Sequence, residues 1–335
     1  LHDALPIYTT AFSFGPLGAK GFAFLNMLQL IGWTSIMIYD AMLALQELAP
    51  LSPMIWTIAI GALVILWLFI GLHNTGYIQA IVSVLLLGLT LYMGAHMILQ
   101  WPSEGSLLTS GNMSFIAALE LSIAMPLSWL PLISDYTRES KKPFSASLTS
   151  ATVYTVTSIV MYTLGLSAAI FGGGDSIITI MMNAGLGLAG LIVIIFSTVT
   201  TTFMDAYSAG VSSTTIYNGA SSKGVAVIVT LVGTIAAILY PMDDITDFLY
   251  LIGSVFAPMI AILLADYFIN RQQVQTLSAY LVRGLIWALS VGLYHYMLHS
   301  ESTIGATLPS FTMAFIVTAI VGFISKTAHI STEIK

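Results

Sequence analysis

The sequence predicts an all-α integral membrane fold, and three observations carry that prediction. Ten apolar segments run through the 335 residues, and a hydrocarbon core about 30 Å thick takes roughly 20 apolar residues per helix. Hydrophobic residues make up 57% of the chain against 7% charged, and the mean hydropathy of +0.94 lies far above that of soluble domains. All nine Lys and Arg residues fall on one side if the segments are threaded back and forth: Lys20, Arg138, Lys141, Lys142, Lys223, Arg271, Arg283, Lys326 and Lys335. Five charged connections agree in parity by chance only about one time in sixteen, so the bias predicts a cell-membrane protein with both ends of this chain on the cytoplasmic side.

The acids collect in the opposite connections, as Glu104, Asp175, Asp243, Asp244, Asp247 and Glu301. The net charge of -6 therefore reads as a solvated outer face. A basic nucleic-acid-binding face is absent. The chain has no cysteine, which excludes disulfides, haem-thiolate and cysteine-based metal or nucleophile chemistry.

The first segment, 21–46, carries Asn26, Gln29, Trp33 and Asp40 at spacings of three, four and seven. At 100° per residue these share one arc of the helix. A carboxylate in a membrane helix costs on the order of 2.5 to 3.5 kcal/mol at the bilayer centre and less near the ends. The polar face is therefore expected to look into protein or water. Segments 54–72 and 77–99 follow, joined by His73-Asn74-Thr75-Gly76, too short to hold an extramembrane domain. The fourth, 114–134, contains Pro126 and Pro131. Each proline removes a backbone donor, which frees the carbonyls of Ser122 and Leu127 and predicts a kinked or broken helix. Transporters use such breaks to present carbonyls to substrate and ion.

Segment 146–171 is followed by 186–214, where Ser197, Thr201, Asp205 and Ser208 share a face beside Thr198, Thr200 and Thr202. These hydroxyls either bond within their own helix or offer oxygen ligands to a small cation. The chain continues through 223–240, 245–268, 277–298 and 304–325. Arg283 lies inside the ninth segment, near enough to its cationic end for the side chain to snorkel outward. Trp33 and Trp129 sit near mid-span, away from the interfacial belts; they either fill the core or stack on a planar ligand whose edge Gln29, Ser128 or Asp205 meets. No histidine pair has metal-ligand spacing and no nucleophile elbow or phosphate loop is present, so an enzyme reading rests on Asp40, Glu120 and Asp205 alone. Residues 1–17 read as a loop remnant or foreign junction, and 18–335 as a single transmembrane transporter domain.

The stretches NMLQLIGWTSIMIYDA, PLSWLPLISDYTR and TTTFMDAYSAG resemble the nucleobase:cation symporter family, most closely its CytX-type hydroxymethylpyrimidine permeases. The resemblance runs from about Gly18 to the C-terminus. It implies a LeuT-like inverted-repeat transporter in which the ten segments correspond to family helices three through twelve, with the first two helices absent. By that resemblance Trp33 stacks on the substrate ring, Trp129 or Ser128 lines its other side and Asp205 reads ring substituents. Thr200 and Thr201 match the hydroxyl pair that coordinates sodium in sodium-coupled relatives, and no cofactor is implied. Relatives often carry an asparagine near Asp205, so its carboxylate is a departure. The implied activity is secondary active symport of a small planar pyrimidine, hydroxymethylpyrimidine as a thiamine precursor, driven by Na+ or H+. Cytosine, purine, allantoin and hydantoin are the alternatives within the family, and a channel is the alternative outside it.

Overall fold

A computed structural model describes residues 9–70, 75–99, 113–131, 133, 140–171, 185, 187–271, 273–300 and 302–333. Among the described residues ten α-helices follow one another: α1 Ala11–Leu48, α2 Pro53–Ile70, α3 Thr75–Leu99, α4 Phe115–Trp129, α5 Pro143–Phe171, α6 Gly187–Ile216, α7 Ser222–Leu239, α8 Thr246–Leu264, α9 Leu277–His299 and α10 Thr307–Glu333. Among the described residues, nine stretches are long and apolar enough to cross a membrane, and α4 is the short exception. Arg138, Lys335, Glu104, Asp175 and Glu301 lie outside the described residues.

Helix α1 is the spine of the bundle. It packs along α6 and α7, which also pack on each other, while α8 packs against α4, α9 and α10. The α1–α6 pair is antiparallel. Asn26 Nδ2 donates to Ser212 Oγ and the Thr202 hydroxyl donates to Met37 Sδ, so the contact climbs α1 as it descends α6. Gly233 lets α7 come close to α1, because a Cβ there would sit 2.7 Å from Thr34 Cγ2. Helix α5 packs lightly on α3, and none of its apolar window is buried.

Helix α1 starts ten residues before the expected segment and bends at Gly15, whose φ of 68° favours glycine. A Cβ on Gly15 would also meet the Tyr280 ring of α9 at 2.6 Å. Pro16 has no N–H for the Phe12 carbonyl. The N–H of Val274, on the segment leading into α9, fills that place at 3.1 Å.

Helix α4 runs through Pro126 and stops at Trp129, so the break falls later than its first proline. The Leu127 carbonyl, expected to be free, instead accepts from Leu130 N–H at 3.3 Å: Pro131 supplies no donor and the chain tightens by one residue to replace it. Arg283 is a second correction. It is 5% exposed and does not snorkel. Past α8 the chain forms a π-helical turn, Ala265–Asn270, which carries Asp266 to Arg283. Nη2 reaches Oδ1 at 2.9 Å and Nε reaches Oδ2 at 3.3 Å. Asn270 Nδ2 adds a bond to Asp266 Oδ1 at 2.8 Å, and Lys326 Nζ binds the Asn270 carbonyl at 3.1 Å. A buried pair held this way recovers the solvation that both charges lose.

Candidate functional site

The polar stripe of α1 faces inward over only part of its predicted length. Asn26 and Gln29 are buried, whereas Asp40, placed on the same stripe by its spacing, is exposed. Ile38, Ala41, Ala44 and Leu45 still pack against Leu191 of α6 at this level, but Asp40 itself is turned out of that contact and nears the outer end of the helix, where a carboxylate is solvated at little cost.

Within the buried part, hydrogen bonds join three helices. Asn26 Nδ2 donates to Ser212 Oγ of α6 at 2.9 Å. Gln29 Nε2 donates to Asn26 Oδ1 at 2.7 Å and to the Ser128 carbonyl of α4 at 2.9 Å. The structure thus brings together Gln29 and Ser128, both named from the sequence as candidates to meet a ligand, through the backbone of Ser128; the Ser128 hydroxyl donates to the Met125 carbonyl at 2.6 Å. Gln29 also lines a cleft of about 110 Å³ between α1 and α8, beside Leu25, Phe248, Ile252 and Phe256.

Trp33 lies one turn along α1, its ring edge-on to Phe248 with centroids 5.5 Å apart. Trp129 packs against a different apolar cluster, built on Leu30, Leu68 and Phe203. It also lines a recess of about 510 Å³ between α4 and α5, with Met125, Tyr154 and Met161. The two indoles therefore pack against different clusters around α1.

On α6, Asp205 is 5% exposed. The antiparallel register that pairs Asn26 with Ser212 and Met37 with Thr202 sets Asp205 level with Trp33 and Thr34. Thr200 donates its hydroxyl to the carbonyls of Phe196 and Ser197, and Thr201 donates to Ser197. Both hydroxyls spend their proton within the helix, and their oxygen lone pairs stay available to a cation.

Eight buried side-chain polar atoms among the described residues lack a hydrogen-bond partner, and Gln29 Oε1, Trp33 Nε1 and Asp205 Oδ2 are three of them. Each such atom costs about 1–3 kcal/mol. Gln29 and Trp33 lie one turn apart on α1, and the register sets Asp205 of α6 level with Trp33, so the three atoms fall on the same stretch of two packed helices. Sequence reasoning passed over Ser212 and Phe248, and it saw Asn26 only as one more polar residue of the stripe. Single residues in apolar helices give no signal of their own, since only the packing of α6 and α8 on α1 reveals them.

The sequence profile of the family described as "Permease for cytosine/purines, uracil, thiamine, allantoin" matches residues 9–334. The chain belongs to that family. Cytosine permeases of Escherichia coli strains K12 and O157:H7 are 24% identical to it over 191 residues, which cover 55% of this chain. That matched stretch spans 45% of the permeases' own length. Among solved structures the chain is similar to Mhp1, a nucleobase-cation-symport-1 family transporter, in a closed conformation with bromovinylhydantoin bound. The TM-score is 0.76 at 17% identity, over 95% of this chain and 79% of that one. The likeness establishes the LeuT-like inverted-repeat fold of a multi-pass membrane protein. Permeases, not enzymes, make up the family, which sets aside the reading of Asp40, Glu120 and Asp205 as catalytic acids.

Proposed function

We propose that this protein performs secondary active symport of a small planar nucleobase-like heterocycle across the cytoplasmic membrane, by alternating access, with hydroxymethylpyrimidine as its cargo. Both ends of the described chain face the cytoplasm in this reading, as the cation placement requires. The observation that carries it is the set of unpaired buried atoms on Gln29, Trp33 and Asp205. An aromatic heterocycle with donors and acceptors at its edge supplies what those atoms need, and its face suits the Trp33 indole. Trp129 forms the far wall next to Ser128, whose carbonyl already holds Gln29. Thr200 and Thr201 supply oxygens to a sodium ion; if the proton is the coupling ion, Asp205 carries it.

The stretches resembling hydroxymethylpyrimidine permeases favour that cargo. The cytosine permeases among the matched relatives favour cytosine as a second reading. Uptake into liposomes separates the two: the reconstituted protein is offered labelled hydroxymethylpyrimidine or cytosine under imposed sodium or proton gradients. Saturable, gradient-dependent entry of hydroxymethylpyrimidine is the expected result. Fast flux that ignores the gradient identifies a channel, and hydroxymethylpyrimidine that neither enters nor competes removes it as cargo.

A further inference from the structure

The carboxamide of Gln29 has two ends, one that donates and one that accepts, and turning it over exchanges them. Here it cannot turn freely. Its Nε2 carries two protons, and both are spent on oxygens that accept: the Ser128 carbonyl at 2.9 Å and Asn26 Oδ1 at 2.7 Å. A flipped amide would lose both bonds and set oxygen against oxygen. The Ser128 carbonyl only accepts, so it fixes Gln29, and Asn26 must then present its own oxygen to Gln29 and its Nδ2 to Ser212 Oγ, 2.9 Å away. Gln29 Oε1 is left buried, with no protein donor, on a residue that lines the α1–α8 cleft.

We infer that Asn26, to which no role was assigned, is a positioning residue that locks Gln29 as a hydrogen-bond acceptor, so that the site selects heterocycles bearing an N–H or amino donor at that edge. The inference rests on the proposed transport of a nucleobase-like compound and deepens it: the cargo's edge, and not only its planarity, is prescribed. Asn26 touches no cargo in this arrangement. It acts through Gln29 and ties that selection to α6 through Ser212.

The test measures binding to the purified whole chain in detergent, by quenching of tryptophan fluorescence, for three probes. They are cytosine, 2-pyrimidinone, which lacks the amino group, and 1-methylcytosine, which lacks the ring N–H. One of the two depleted probes is expected to bind about tenfold or more weaker than cytosine, the cost of leaving a buried acceptor unmet. In Gln29→Met that difference falls to about threefold or less, since there is no acceptor to leave unmet. Asn26→Leu, which removes one of the two ties, lowers the difference as well. Asn26→Asp keeps an oxygen facing Gln29 and retains it.

Thermal unfolding identifies variants that fold, and Asn26→Leu tests the idea if Gln29→Met does not. The inference falls alone if cytosine binds but all three probes bind alike, or if the difference survives in both Gln29→Met and Asn26→Leu. If neither these probes nor hydroxymethylpyrimidine binds the unaltered protein, the transport reading falls and takes the inference with it.

Discussion

Two buried polar regions of this bundle face the same energetic problem and meet it in opposite ways. At the end of α8, Asp266, Arg283, Asn270 and Lys326 satisfy one another, and Asp266 is fully buried inside that cluster. Midway along α1 and α6, Gln29, Trp33 and Asp205 are as well shielded at their polar atoms yet keep an atom each without a partner. The first region spends its polar groups on holding helices together, and the second, in the proposed reading, offers them to the cargo. Sequence composition alone treats the two alike.

The largest expected effect sharpens that contrast. Asp266→Asn strands the Arg283 charge and is expected to cost about 3–5 kcal/mol of stability, whereas Asp205→Asn stays within about 1 kcal/mol because no bond to Oδ2 is lost. Denaturant unfolding in detergent measures both, and equal losses would erase the distinction. Replacing Asp266 and Arg283 together by leucines should restore most of the loss, since no charge is left stranded.

Next comes Trp33. Trp33→Ala is expected to weaken cargo binding by about 1–3 kcal/mol, the scale of stacking between a base and an aromatic ring, and Trp33→Phe by much less. Titration of the two variants with the transported compound decides it, and equal losses would take stacking away from that ring.

The smallest effect lies outside both regions. Asp244 accepts from Thr246 N–H at 2.9 Å in the first turn of α8. These bonds to Thr246 hold its carboxyl below the ordinary carboxylate value. A lowered pKa in the folded state means that the contribution is present above the ordinary carboxylate value and is lost as pH falls through the folded one. The protection of the Thr246 amide, its exchange rate relative to that of a free amide at the same pH, is expected to fall in Asp244→Ala at neutral pH, and to fall in the unaltered protein only on acidification. No change in the variant would show that the first turn of α8 is held by packing alone.

The spans were legible because a membrane helix announces itself by length and apolarity, and the helices stayed within a few residues of the expected segments nearly everywhere. At the start of α1, residues 1–17 read as a loop remnant or foreign junction, whereas the helix begins at Ala11 and crosses Gly15 and Pro16, with Val274 capping the carbonyl that the proline frees. Arg283 was misread for a related reason. Its partner sits on a π-helical turn of another helix, and no period of the sequence encodes such a turn. Gln29, Trp33 and Asp205 stood out as polar or misplaced residues in apolar segments. Their hydrogen-bond polarity did not, because it descends from the Ser128 backbone, which only the meeting of α4 with α1 brings near.

The bend at Gly15 has a mechanical side. With Phe12 clasped to Val274 and Tyr280 seated against the glycine, the opening turn of α1 and the lead-in to α9 are stapled although they lie far apart along the chain. A pull on either is delivered to the other, so the spine of the bundle and its penultimate helix travel as one lever.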